Sequence, residues 1–492
     1  MDRQRNRWRT LTAPRRQQAM NINHVVVLML ENRSFDCMLG RLYPDRKDFD
    51  GLPASGPGNR TNVWSKTGQV CPAWNDPELT AQTACIPNPD PGESFDDIHE
   101  QIHGNPPAGP TMSGFVDNYM TQPGTGPAAD PSPVMHYFTP DQVPVISTLA
   151  KAFGVSDRWF ASAPCQTWPN RFFAHCGTAG GYVNNSPAKL PFTMPTIFNR
   201  LDEVKQSWRI YFHDFAQAAT LSSLWADAIT HFHGFDTFLS DATAGNLPAY
   251  SFIEPRYYPD LLNTKLANDE HPPHNVAYGE RLIAQVYNAL RANEAAWKQT
   301  LFIITYDEHG GCYDHVPPPP ATSPDALNYD GFAFGYYGVR VPAVICSPYV
   351  PAGSVIRPAG ERFFDHTSIS ATLHQLFRTR FLTARDEAAP DLLSALSDWP
   401  DNLGPAQIEP PPLPPASADD VAKAAAAPPN DLQTSLAQAA SQLPTGTANV
   451  AAHIARMQAA PPPGPLPTHA AAAGAATHAV AGMAAFLAPG GG

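Results

Sequence analysis

The chain reads as an α/β protein built on a largely parallel central sheet, and three observations predict it. Strand-like and helix-like patterns alternate from about Asn21 to Trp399. The strands are continuous apolar runs, Val25 to Leu30 being the clearest, as expected of a sheet covered on both faces. Several runs then stop abruptly on polar side chains: Glu31-Asn32, His213-Asp214 and Asp307-Glu308-His309. Parallel sheets bind ligands in the crevice beyond the carboxyl ends of their strands, so this punctuation has functional weight.

In chain order, the predicted strands are residues 24–30, 209–212, 250–253, 300–306 and 339–347. Helices are predicted over 170–176, 278–297 and 367–377, the second carrying apolar residues at Leu282, Val286 and Leu290. Residues 51–133 are rich in Pro, Gly, Asn and Asp and read as a long, loop-dominated insertion, of the kind that builds walls over a site. After Pro405 the composition shifts. The run "IEPPPLPPAS" reads as a polyproline-type linker, and the remainder, rich in Ala, Pro and Gln, as disordered or loosely helical. The expected organisation is one domain over 21–404 and a Pro/Ala-rich tail over 405–492. A tail of that kind would be separable, so truncation after Leu403 would leave activity on soluble substrates.

Composition excludes some functions. Of 492 residues 43% are hydrophobic and 16% charged, which permits a sizeable core. A net charge of -13 with no phosphate-tracking basic stripe argues against nucleic acid. The basic stretch Arg3 to Arg16 is followed by too short an apolar run for a signal peptide, implying a cytoplasmic protein or export by a signal-independent route. Ala470 to Leu487 is too weakly apolar for a membrane span. Among seven cysteines, Cys71/Cys85 and Cys165/Cys176 are spaced to close short loops, which spacing alone leaves open.

The carboxylates carry the chemistry. Two strands delivering Glu31-Asn32 and Asp307-Glu308 to one sheet edge would surround a divalent cation with hard oxygen ligands, suiting Mg, Ca, Mn or Zn. The competing reading for either pair alone is a helix cap or an arginine partner. In "APCQTWPNRFFAHCG", Pro169 suits a first helical turn. Thr167 then lies at a helix N-terminus, either as a cap or as a nucleophile facing phosphate.

"ENRSFD", "TWPNRFFAHCGT", "DEHGGCYDHVPPP", "GVRVPAVICSPYV" and "FDHTSI", in this order between His24 and about Leu382, resemble the signature blocks of the bacterial phospholipase C and acid phosphatase family. That family belongs to the alkaline-phosphatase-like superfamily. The resemblance implies an alkaline-phosphatase-like α/β/α sandwich. It also implies a single divalent metal ion held by Glu31, Asn32, Thr167, Asp307 and Glu308, with Thr167 as nucleophile. Acid phosphatases of the family resemble this pattern with serine at that place and phospholipases C with threonine. The chain departs from the pattern at Cys37, where an aromatic residue or His is usual, and in lacking the larger phospholipases' C-terminal modules.

By the same resemblance, His103 and His271 are candidate proton donors, and Asn105, His274 and Trp168 candidate substrate contacts. Tyr257 and Tyr258 join Trp168 as a possible cage for choline. His309 and His315 would orient the ligand pair, and His366 serves either the site or a helix start. Arg33 and Arg171 would hold phosphate or pair with core carboxylates. The function implied is hydrolysis of phosphodiesters such as phosphatidylcholine or related phospholipids through a phosphothreonine, with peripheral membrane contact. The alternatives are a broad-specificity acid phosphatase and, further off, an inactive binding or adaptor protein.

Overall fold

A computed structural model of the chain describes residues 20–53, 60–126, 128–411, 416–459 and 468–488. The basic stretch Arg3 to Arg16 and part of the proline-rich run lie outside the described residues. Eight strands form one sheet: β1 (His24–Leu30), β4 (Gly154–Val155), β5 (Trp208–Phe212), β6 (Phe232–Gly234), β7 (Tyr250–Ile253), β8 (Thr300–Tyr306), β9 (Ala343–Cys346) and β10 (Ser354–Val355). Their spatial order is β10-β4-β9-β8-β1-β7-β5-β6. Strands β8, β1, β7, β5 and β6 run parallel, and β9 is antiparallel to both β8 and β4.

The centre of this sheet falls where the apolar runs are longest. All seven residues of β8 are buried, as are Val25 to Leu30 of β1. Helices cover the sheet in two groups. Val276–Ala292 packs on Pro144–Ala152 and Phe235–Ala244, while Thr167–Cys176 packs on Thr367–Phe377 and Ile197–Glu203. The expected α/β fold with a mostly parallel sheet is therefore present.

Two element boundaries differ from expectation, each for a local reason. The strand expected over 339–347 is regular only over Ala343–Cys346, because Pro342 has no N–H for the ladder and Val341 N donates to Trp159 O instead. The helix expected over 278–297 starts at Val276 and ends at Ala292. There Asn293 leaves helical geometry, and its side chain accepts from Ala296 N to start a separate turn, Glu294–Trp297. The insertion carries its own structure: a hairpin of β2 (Thr61–Trp64) and β3 (Gln69–Pro72) and helices Phe95–His103 and Phe115–Tyr119, around Trp64, Ile98, Ile102 and Phe115.

The tail departs from the expectation of a disordered or loosely helical segment. Its described residues form helices Ala418–Ala426, Asp431–Ala440, Val450–Ala459 and Thr468–Phe486. Leu432, Leu436, Ala439 and Phe486 are buried in the main core, and Phe486 meets Trp225 and Phe232 edge-on. Tyr258 Oη donates to Gln433 O (2.5 Å), and Gln433 Nε2 to Tyr257 O (2.7 Å). A leucine pair spaced by four residues suffices for a buried helical stripe when the neighbours are alanines, which sequence composition alone disguises. Among the described residues no helix is long and apolar enough to cross a membrane. All seven cysteines are free thiols, so neither of the two possible bridges is made.

His315, expected beside the metal ligands, instead belongs to a separate buried ion network. Its Nδ1 lies 2.6 Å from Asp36 and its Nε2 3.2 Å from Asp50. Arg340 completes the network with Asp314 (2.9 Å) and Asp36 (3.1 Å). Burial opposes protonation of His315, but Asp36 and Asp50 outweigh it and raise the imidazole to about 9.

Two expectations follow from this packing. Removing residues 404–492 exposes the apolar surface beneath Leu432, Leu436 and Phe486. A clear fall in Tm and soluble yield is expected, and calorimetry showing an unchanged Tm would contradict it. Because the folded pKa of His315 lies above its unfolded value of about 6.5, its stabilisation is complete below that pH and lost as pH rises through about 9. His315→Gln should therefore cost Tm at pH 6 and little at pH 10, a difference that parallel melts at the two pH values would reveal.

Candidate active site

Register places the acidic residues. Leu30 of β1 pairs with Tyr306 of β8 in a parallel ladder, so the next residues, Glu31 and Asp307, leave the sheet side by side. Glu31 N donates to Asp269 O (2.8 Å). Asn32 adopts left-handed backbone geometry (φ 55°), a conformation that asparagine tolerates better than most residues. Its N–H reaches Asp307 Oδ1 (3.2 Å), which also accepts from Glu308 N (2.8 Å). Gly310 turns the chain beneath them. A Cβ there would sit 2.2 Å from Asn32 O, so only glycine fits this close approach.

Thr167 is the first residue of helix Thr167–Cys176, and Gln166 occupies the cap position. Thr167 is therefore not the cap: its fully buried hydroxyl accepts from no N–H of its own helix and donates to Glu31 Oε2 (3.3 Å). One turn on, Arg171 is buried among three carboxylates. It lies 2.5 Å from Glu31, 3.2 Å from Glu254 and 3.6 Å from Asp307. Of the two readings open for this arginine, pairing with core carboxylates is the one observed. Arg33 holds the backbone carbonyls of Glu270, Ile86 and His274.

The donors fit a cation. Asn32 Oδ1, Asp307 Oδ2 and Glu308 Oε1 are buried oxygens with no hydrogen-bond partner among the described residues. Uncompensated buried oxygens are costly, which makes these three candidate ligands for a cation. Among the described residues, the acids and histidines whose ligand atoms converge within 4.8 Å are Asp36, Asp314 and His315 and, next to Asn32, Asp90, Glu93 and His271. Burial, followed by Glu93 and Asp307, holds the Glu308 carboxyl well above its ordinary range. Burial does the same to Glu31, with Arg171 opposing and Asp307 reinforcing. Both shifts come first from burial, with neighbouring carboxylates adding to it. Glu31, Asn32, Thr167, Asp307 and Glu308 thus form an oxygen-rich group that could hold an ion.

The histidines separate clearly. His271 is buried with its Nε2 3.4 Å from Glu93 Oε1 and its Nδ1 3.7 Å from Asp90. Glu93 Oε1 also accepts from Asn32 Nδ2 (2.7 Å), which joins His271 to the ligand group. Burial opposes the imidazolium, yet Glu93 and Asp90 outweigh it and raise His271 well above its ordinary value. His309 Nδ1 lies 3.2 Å from Glu308 and its Nε2 2.7 Å from Gln101 Oε1. His366 stands at its helix start while Nε2 meets Asp307 O (2.6 Å).

Other predicted residues lie elsewhere. His103 stacks on His99 (centroids 4.4 Å apart) and meets Tyr336 edge-on, with no hydrogen bond to the ligand group among the described residues. Asn105 bonds Glu100 (3.3 Å) in a surface depression with Lys66 and Asp117. His274 is held by Asp269 (2.6 Å), whose carbonyl receives Glu31 N. Trp168, Tyr257 and Tyr258 are buried: Trp168 packs on Phe192, while the tyrosine hydroxyls are taken by Glu254 and Gln433 O. A choline cage needs ring faces open to the ligand, and these rings belong to the core.

Sequence reasoning missed Asp90, Glu93, Gln217 and Glu254. Gln217 Nε2 donates to Glu31 Oε1 (2.8 Å), and Glu254 shares Arg171 with Glu31. Glu254 alone had a signal, since it directly follows the buried strand β7, as Glu31 follows β1.

An α/β sheet whose carboxyl edge gathers carboxylates, an asparagine and a buried hydroxyl is the arrangement of a hydrolase acting on phosphoric esters. The chain belongs to the Phosphoesterase family, whose signature matches residues 22–380. It is 38% identical over 400 residues to non-specific phospholipase C4 of Arabidopsis thaliana, covering 76% of this chain and 72% of that protein. It is 30% identical over 427 residues to phospholipase C A of Mycobacterium tuberculosis, covering 77% of each. Among solved structures, a protein in the alkaline phosphatase superfamily from Vibrio parahaemolyticus superposes with a TM-score of 0.31 and 13% identity, over 50% of this chain and 64% of that one.

Glu31→Gln and Asp307→Asn should each lower divalent-metal affinity while the fold survives. Elemental analysis after dialysis, alongside circular dichroism, tests this, and full metal content in both variants would remove the site.

Proposed function

We propose that the chain is a metal-dependent phosphodiesterase of phospholipase C type that works through a phosphothreonine. The observation that carries this reading is the position of Thr167: a buried hydroxyl, freed from capping, aimed at Glu31 beside three unpartnered oxygens. The relatives named as phospholipases C support the diester class.

Glu31, Asn32, Asp307, Glu308 and Thr167 would hold the ion. When bound, it would draw charge from the hydroxyl and from a phosphoryl oxygen. Thr167 Oγ1 attacks phosphorus in line, passing its proton to Glu31 Oε2 as the Oγ1–P bond forms and the bond to the departing alcohol breaks. His271, held as an imidazolium by Glu93 and Asp90, gives its proton to that alcohol. Water then attacks the head-group phosphate ester on Thr167, giving its proton to His271, while Glu31 returns the first proton to Thr167 Oγ1 and the phosphorylated head group leaves. Arg171 fixes Glu31 and Asp307 throughout, so the site is organised before substrate arrives. His271 is favoured over His103 as the acid because it connects through Glu93 to Asn32.

The test combines substrate and nucleophile. The protein should turn over nitrophenyl-phosphocholine, a diester, far faster than nitrophenyl phosphate; the opposite preference would favour an acid phosphatase. Thr167→Ser should keep substantial activity, whereas Thr167→Val should abolish it with little change in Tm. Acid quenching during turnover of the diester should trap phosphocholine on Thr167, and an active valine variant would sink the mechanism.

A further inference from the structure

The loop between β7 and the His271 segment is rooted in the site at both ends. Glu254, immediately after β7, binds Arg171, and at the other end Asp269 O receives Glu31 N. Between them the chain leaves the protein and returns. Its base is closed by two bonds between Arg256 and Asn268, in which Arg256 N reaches Asn268 Oδ1 (2.5 Å) and Asn268 N reaches Arg256 O (3.0 Å). Asp214 pins the outgoing strand, accepting from Tyr257 N (3.0 Å) and Tyr258 N (2.9 Å). Further out, Asp260 and Lys265 exchange backbone hydrogen bonds of 2.7 and 3.0 Å. The Asp260 carboxylate also braces the turn by accepting from Leu262 N and Asn263 N, both at 3.0 Å.

This braced turn ends in two leucines. Leu261 is 62% exposed and Leu262 95%, the latter more than any other large apolar side chain among the described residues. A floppy loop exposes apolar groups at random, but here six hydrogen bonds hold the pair outward at a fixed height. Behind the tip, Arg256, Lys265 and Arg281 line a cavity of about 450 Å³, with Asp236 and Asp260 as its acids. Arg256 faces Asp214, Asp236 and Asp260, while Lys265 is exposed on the turn itself, beside the leucines. Because β7 runs parallel to β1, the loop rises from the same sheet edge that carries Glu31 and Asp307.

We propose that Leu261 and Leu262 are a membrane-docking tip that inserts into a phospholipid surface and presents the active-site edge to it. This rests on the phospholipase reading above and names how that site meets its substrate. Two adjacent exposed leucines lose apolar area from water on entering the interfacial region, and the exposed Lys265 beside them suits the head-group phosphates.

The experiment uses the full chain. Leu261→Ser/Leu262→Ser should hydrolyse nitrophenyl-phosphocholine at the wild-type rate, which also shows an intact fold. Sedimentation with phosphatidylcholine vesicles, and hydrolysis of their lipid, should both fall roughly tenfold or more. Leu262→Trp should show a blue-shifted emission when vesicles are added. Vesicle binding that is unaffected by the serine pair, or a tryptophan that stays in water, overturns the proposal. So does a wild-type dimer that the serine pair converts to monomer, since the occupant of the tip is then a second copy. If the wild type binds vesicles through the tip without cleaving any diester, docking stands and the phospholipase reading fails.

Discussion

The structure turns on one buried guanidinium. Arg171 contacts Glu31, Glu254 and Asp307, none of them exposed, and also donates to Met29 O (3.1 Å). Burying several carboxylates near one another is unfavourable unless charge is compensated, and removing one partner of such a group typically costs about 3–5 kcal/mol. Arg171 makes it possible for strands β1, β7 and β8 all to end on acids at one edge. Architecture and chemistry are linked through this single side chain.

Around it, hydrogen bonds fix each group in turn. Gln217 takes one oxygen of Glu31 and Thr167 the other. His309 lies between Glu308 and Gln101. Burial alone pushes His309 down to about 3, so its ring is neutral and its one N–H is taken by Gln101 Oε1. His271 has the opposite character because Glu93 and Asp90 stand against it. Two nearby imidazoles are thus shifted in opposite directions, one by carboxylates and one by burial.

The insertion and the tail both belong to this edge. The insertion supplies Asp90, Glu93 and Gln101. From the tail, Asn430 Nδ2 lies 3.3 Å from His271 Nδ1, and helix Asp431–Ala440 rests on the loop that carries Tyr257 and Tyr258. Segments hundreds of residues apart therefore meet at one histidine. Loss of the tail would disturb more than surface area.

The sequence by itself determined the fold class, the strands β1, β7 and β8, and the acids that end two of them. These are local properties: an apolar run long enough to be covered on both faces predicts its own burial, and a polar pair at its end stands out against it. Thr167 was legible as a helix-start hydroxyl. That it does not cap its helix depended on Glu31, 136 residues away. The tertiary structure alone decided which histidine joins the site, that His315 pairs with Asp36 and Asp50, and that the presumed choline cage is core. A histidine in a proline-rich segment looks the same whichever carboxylates it will meet, and Glu93 sits in a stretch with no periodicity to single it out. The tail was misread for a related reason. Its alanines carry little hydrophobic signal, and only the surfaces of Trp225 and Phe232, brought from elsewhere in the chain, make burial of Phe486 favourable.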